Sequence, residues 1–336
     1  MQEQFDRSAG VLMPVSSLPG PYGIGTFGKK AYEFVDNLVK ARQKYWQVLP
    51  LGPTSFGDSP YASFSAFAGN PYFIDLDGLI KDELLKPEEV EGINWFVTEE
   101  YVEYQTLYEN RFPLLRKAFK RWKKKKSGGY QKFVKENTFW LEDYALFMAC
   151  KEEFGQKEWT AWDDDIKNRE PEAMDRYREK LEDEMDFWKF LQFRFFKEWN
   201  KLKKYVNGKG IQIIGDIPIY VAMDSADTWA NPWLFKLDEK NCPTQVAGCP
   251  PDGFSATGQL WGNPLYRWEY HKETGYAWWL NRLEATFEKY DVLRIDHFRG
   301  FDEYYAIPYG EPTAENGQWE PGPGYDLFKT MKAALG

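Results

Sequence analysis

The sequence predicts an α/β fold built on parallel, barrel-type strands, and three observations carry that expectation. Strand, helix and strand follow one another in residues 10–52, and the order returns in residues 210–301. Residues 210–221, GIQIIGDIPIYV, set one carboxylate, Asp216, among β-branched neighbours in what reads as a strong strand. Residues 291–301, DVLRIDHFRGF, begin as a short apolar strand and then carry charge. Side chains alternate along a strand, so Arg294 and Asp296 share one face and Leu293 and Ile295 the other. A cation beside a carboxylate at the C-terminal end of a strand is where α/β barrels keep their chemistry. Two readings of the pair stand side by side. One is a structural Arg–Asp cap on a strand; the other is a desolvated, ionised carboxylate, held by Arg294 for use as a nucleophile or ion-stabilising group.

Each element follows in chain order. Residues 10–18, GVLMPVSSL, read as a first buried strand, and residues 20–28, GPYGIGTFG, as a Gly-rich turn. The turn has G-x-G spacing at Gly23 and Gly25 but lacks the rest of a nucleotide fingerprint. Residues 29–42 are amphipathic, with Phe34 and Leu38 on one face, and so form a helix. Residues 45–52, YWQVLPLG, are a second strand. The loop over 57–80, dense in small and aromatic residues, follows a strand end and is of the kind that shapes a site. From 81 to about 204 charge rises, glycine thins out and helical spacing dominates. Three parts result: first strands and a site-shaping loop over 1–80, a helical insertion over 81–205, and further strands with a second long loop over 206–336. The basic run 121–126 reads as the solvated end of a helix rather than a contact for an anionic partner. Residues 238–266 read as one long loop of the lid or binding type, holding Asp252 and Trp261. Cys242 and Cys249 within it are widely spaced and have no second pair, so no metal is expected. A helix over 276–290 leads into the 291–301 strand, and a Pro/Gly-rich turn precedes a last helix over 325–335.

Composition narrows the function. Aromatics make up 18% of the chain, and flat rings suit the faces of sugars as well as a core. A net charge of −9 argues against nucleic acid, whose phosphates need a basic surface. Three Cys point to a reducing, cytoplasmic compartment. No signal peptide is visible in MQEQFDRSAG, and no apolar run reaches membrane-spanning length.

The chemistry must then come from carboxylates. Of the two His, His271 is expected to face solvent and His297 to face away from Asp296 in a structural role. No G-x-S-x-G elbow is present. Asp216 and Asp296 are the strand-end carboxylates, and with aromatic loops they point to glycoside chemistry.

Four segments carry a family likeness: GVLMPVSSLPGPYGIGTFG, GDSPYASFSAFAGNP, GDIPIYVAMDSADTWANP with PDGFSATGQLWGNPLY, and DVLRIDHFRGF. They resemble the 4-α-glucanotransferases of the amylomaltase or disproportionating-enzyme family, relatives of the α-amylases. The resemblance implies an α-amylase-type TIM (β/α)8 barrel with a helical insertion. It also implies a retaining double displacement between an α-1,4-glucan or maltooligosaccharide donor and a sugar acceptor, without a cofactor. By position, Asp296 resembles the nucleophile and Arg294 the residue that holds it ionised. Asp216 resembles a substrate-binding acid, Tyr61 the aromatic platform under the same sugar, and Ser59 its neighbour. Asp252 and Trp261 resemble acceptor-side loop residues. The family's acid/base Glu has no counterpart here, and Glu303 and Glu311 lie too near Asp296 on one strand and its loop to replace it. Four barrel strands are visible, so only the N-terminal part of the barrel is expected in this chain, which alone is expected to be inactive. The alternatives are an α-amylase-like hydrolase and a glucan-binding fragment; a nucleotide-binding protein rests on Gly23 and Gly25 alone. The oligomeric state is left open by the sequence.

Overall fold

In the computed structural model, which describes residues 7–55, 57–96, 100–125 and 128–336, eight strands form two four-stranded sheets. The strands are β1 (Gly10–Leu12), β2 (Tyr45–Gln47), β3 (Gln212–Pro218), β4 (Gln245–Cys249), β5 (Gln259–Pro264), β6 (Val292–Asp296), β7 (Glu303–Pro308) and β8 (Gln318–Pro321). The first sheet is parallel throughout, in the order β1-β2-β3-β6. Parallel neighbours need crossovers, and helices supply them here. Lys29–Lys40 joins β1 to β2 and buries Ala31, Val35 and Leu38; Ala277–Lys289 precedes β6 and buries Trp279 and Leu283.

The strands are shorter than the apolar runs that announce them. β1 stops after three residues because Pro14, with no N–H and a fixed φ, turns the chain into a 3-10 helix at Val15–Ser17. The second sheet was not foreseen. Residues 238–266 do not form one long loop: they hold β4 and β5, which pair antiparallel, and β4 pairs on with β7, itself paired with β8. Its signal was hidden by Gly and Pro, which read as loop. Gly248 is needed where it stands, since a Cβ there would meet the Gln259 carbonyl oxygen at 2.2 Å.

Between β2 and β3 the chain is mostly helical, with Tyr104–Lys125, Thr138–Glu153 and Glu182–Gly208 as the longest helices. Every residue from Tyr144 to Lys151 is buried, so this helix has no solvent face there and reads as apolar all round. One large core joins Trp46 of β2 and Ile213 of β3 to Leu115, Phe147, Phe190 and Trp199 of the helices. The basic run is largely paired internally: Arg121 with Glu89 at 2.6 Å, Lys123 with Asp183 at 2.6 Å, Lys125 with Glu83 at 2.8 Å. Lys126 lies outside the described residues, as do residues 1–6 of the N-terminal segment. No helix among the described residues is long and apolar enough to cross a membrane.

The helices hold the loop that follows β2. Gln192, fully buried, accepts from the Gly69 N–H at 2.7 Å and donates to its carbonyl at 2.9 Å. Lys289 Nζ donates to the Phe67 carbonyl at 3.1 Å, and Asp227 Oδ2 accepts from the Ala66 N–H at 2.7 Å. Trp199 Nε1 donates to the Lys289 carbonyl at 3.0 Å, linking that clamp to the longest helix.

Candidate active site

Parallel pairing of β3 with β6 sets Asp216 opposite Arg294 and Pro218 opposite Asp296. Arg294 and Asp216 therefore lie side by side at strand ends, and Asp296 follows on the same face. The Arg294 guanidinium donates from Nη1 to both Asp216 oxygens, at 2.8 and 2.7 Å, and from Nη2 to Asp296 Oδ1 at 2.5 Å. One cation thus links two carboxylates on neighbouring strands.

The two carboxylates differ in exposure. The Asp216 side chain is 1% exposed and that of Asp296 41%. Burial pushes the Asp216 carboxyl up from its ordinary range, while the Tyr61 hydroxyl and the Arg294 guanidinium act against that rise. Tyr61 Oη donates to Asp216 Oδ2 at 2.9 Å; burial first, and then this bond, push the phenol up to about 12. Arg294 is held protonated above its ordinary range, chiefly by its hydrogen bond to Asp216. The expectation that Asp296 is desolvated is corrected here, because its carboxylate faces an open cavity. Asp216 differs from a free substrate-binding acid: both oxygens are already engaged and almost nothing of it reaches solvent.

That cavity, about 480 Å³, is lined by Ser59, Tyr61, Tyr220, Trp261, Asn263, Asp296 and His297 among others. Ser59 Oγ accepts from the Tyr61 N–H at 3.3 Å, which fixes the turn presenting the phenol. Trp261 comes from β5, 37% exposed, its indole N–H donating to Gln259 Oε1 at 3.0 Å. Among the described residues that line the cavity, Asp296 supplies the only carboxylate. Glu303 instead pairs with Arg299 at 3.6 Å, and Glu311 accepts from Asn316 at 2.8 Å.

Asp252 is not brought to this wall. Its Oδ1 accepts from the N–H groups of Phe254 and Ser255, both at 2.8 Å, so it closes a turn at the loop tip beside the fully exposed Phe254. The reading of His297 is also corrected. Strict alternation turns it away from Asp296, but β6 ends at Asp296 and His297 takes a left-handed backbone, φ 54°. Its ring returns to the same cavity and meets Trp261 edge-on at 4.8 Å. Burial lowers its pKa, while the Asp296 charge acts the other way. His271 is fully buried, not solvent-facing, with a ring nitrogen 3.2 Å from the Leu234 carbonyl. Tyr220 and Asn263 lie inside two of the segments that carry the family likeness but are not among the expected site residues; the parallel register and the β4–β5 hairpin bring them to the wall.

A profile of the 4-alpha-glucanotransferase family matches residues 13–336. The chain is 51% identical over 325 residues to the 4-alpha-glucanotransferase of Clostridium butyricum, covering 96% of this chain and 67% of that one. It is 52% identical over 332 residues to that of Streptococcus pneumoniae, covering 98% and 66%. An amylomaltase from Streptococcus agalactiae, solved in complex with acarbose, superposes with a TM-score of 0.96 at 49% identity, over 98% of this chain and 67% of its own. The chain therefore spans about two thirds of the length of these relatives.

Proposed function

Because this chain belongs to the 4-alpha-glucanotransferase family, we propose that its Asp296 cavity binds α-1,4-glucan and carries the nucleophile of glucan transfer. The observation that carries this is the Arg294 bridge, which aims one oxygen-bearing group into the cavity and locks the other beneath it. An Asp296 oxygen attacks the anomeric carbon of the donor as the bond to the 4-oxygen breaks; that oxygen takes a proton from an acid that the described cavity lining does not hold and leaves as a glucan 4-hydroxyl, and a glucosyl ester remains on Asp296. The acceptor hydroxyl then attacks the same carbon, loses its proton to a base and frees Asp296, so the α-configuration is retained. Arg294 orients the attacking group through its hydrogen bond, Asp216 and Tyr61 keep Arg294 in place, and Tyr61, Ser59 and Trp261 present surface to the sugar. Asp252 serves the acceptor side only if its loop folds inward.

A retaining enzyme places its second carboxyl about 5–5.5 Å from the first. The Asp296 cavity has no second carboxylate among its described lining residues, which supports a chain that binds glucan but does not protonate the leaving oxygen unaided. The parallel β1-β2-β3-β6 sheet is read, with this, as part of a (β/α)8 barrel; its open edges at β1 and β6 and the greater length of the relatives support that reading.

A glucosyl donor with a self-sufficient leaving group separates the two steps. Incubated with an α-maltosyl fluoride, the 336-residue chain is expected to gain one maltosyl group on Asp296, seen by intact and peptide mass spectrometry. Asp296→Asn is expected to gain none. With maltotriose as donor, the unmodified chain is expected to form no longer maltodextrins. Labelling that persists in Asp296→Asn overturns the nucleophile; robust disproportionation of maltotriose overturns the missing acid.

A further inference from the structure

A second cavity, of about 290 Å³, opens among the loop at Ser65 and Phe67, Thr138–Glu153, Ala226–Ala230 and Ala277–Lys289. It shares no lining residue with the Asp296 cavity. Its walls are rings. Phe67 meets Phe139 edge-on at 5.4 Å and Trp278 edge-on at 6.2 Å, and Trp140 lies nearly parallel to it at 6.3 Å. Trp233 also lines the cavity, and it and Phe139 stand 46% and 55% exposed. Rings left in water beside a pocket offer apolar area that a flat ligand face can cover.

The polar groups limit what that ligand is. No Lys or Arg is among the described residues that line the cavity, so none of them answers a phosphate or carboxylate. Asp143 is paired with Arg169 at 2.6 Å, and the buried Asp227 accepts from the Ala66 N–H at 2.7 Å, so both acids of the lining are already engaged and neither calls for a cation. Asn231 and Asn281 offer neutral donors and acceptors at the lining. A neutral ligand with apolar faces and a hydroxylated rim meets these conditions, and a pyranose is such a ligand. The volume sits at the lower end of ligand pockets, about 300 Å³, which suits a short segment.

We propose that this cavity is a non-catalytic site for a short segment of α-1,4-glucan, with Trp233 and Phe139 as stacking surfaces. The choice of glucan rests on the functional reading above; the site itself rests on the rings. A chain gripped here and at Asp296 together raises the local concentration of each end for the other site.

The test is calorimetry of maltotetraose and maltoheptaose on the 336-residue chain and on Trp233→Ala, Trp233→Phe and Trp261→Ala. Trp233 is at the surface, so its loss leaves folding intact, which circular dichroism checks. The expected result is two classes of site in the unmodified chain. Trp233→Ala weakens one class about tenfold, Trp233→Phe largely restores it, and Trp261→Ala weakens the other. A single class that falls with Trp261→Ala and ignores Trp233→Ala overturns the second site and leaves the Asp296 cavity standing. Binding that falls with Trp233→Ala alone supports the second site and counts against the first. No binding to any form overturns both.

Discussion

Arg294 has to satisfy two acids with one planar group. Three hydrogen bonds in a fixed fork do this, and an ammonium cannot reproduce the fork. Arg294→Lys is therefore expected to lower the rate of Asp296 labelling by the maltosyl fluoride by about a hundredfold or more, with little change in glucan affinity. Tyr61→Phe removes the hydroxyl that steadies Asp216 but keeps the ring. It is expected to destabilise the chain by about 1 kcal/mol in urea unfolding, because Asp216 remains buried with one partner fewer. The labelling rate should drop only about tenfold if Tyr61 acts through position.

Two elements bear on the site from behind. Gly215 precedes Asp216 on β3, and a Cβ there would lie 2.1 Å from the Tyr290 ring, itself buried. Gly215→Ala must displace that ring or the strand. An expected loss of about 1–3 kcal/mol in thermal or urea unfolding, together with slower labelling of Asp296, is the signature. Gln192→Leu would strip both partners from the Gly69 peptide, and it is expected to cost about 2–4 kcal/mol, again by urea unfolding. These elements also show what the sequence could reveal. Periodicity located β3, β6 and the Lys29–Lys40 and Ala277–Lys289 helices, because each buries a regular face. Alternation placed Arg294 with Asp296 and was right where the strand is regular. It failed for His297, one residue past the strand, where a positive φ ends the period. The β4–β5 hairpin was illegible since its Gly and Pro serve close strand approach and bulging rather than a loop. His271 reads as surface-bound in sequence, yet the rings of Tyr266, Trp268 and Trp278, all within seven residues of it, fold around it.

At the scale of the molecule, that burial has a pH signature. Burial lowers the His271 pKa to about 4, below the ordinary value of about 6.5. A depressed pKa means the unfolded chain takes the proton more readily. The stability it contributes is complete above pH 6.5 and is lost as pH falls towards 4, by about 3 kcal/mol in the limit. Burial raises Glu198 to about 7 and Asp227 to about 6, and these act with the opposite sign. Their contribution is full below the unfolded carboxyl range and is lost as pH rises through 6 to 7. Comparing the unmodified chain with His271→Gln at pH 7.5 and pH 4.5 isolates the histidine: the stability gap between them should shift by about 2 kcal/mol in favour of the variant at the lower pH. Parallel β1 and β6 also end the first sheet without a further strand among the described residues, and Leu12 and Phe298 stand 51% and 55% exposed. Parallel sheets are rarely left uncovered, so the isolated chain is expected to bind an apolar dye such as ANS and to self-associate at high concentration, read by light scattering.

Tyr45 pairs with Gln212 across the whole of the helical stretch. No ladder between those strands closes until that stretch has collapsed, because the entropy of joining such distant points must first be offset locally. The order of assembly is written into the topology. Pulse-labelled amides in Glu182–Gly208 should gain protection before those of Gln212–Pro218, and the reactive corner around residue 296 should be among the last places to set.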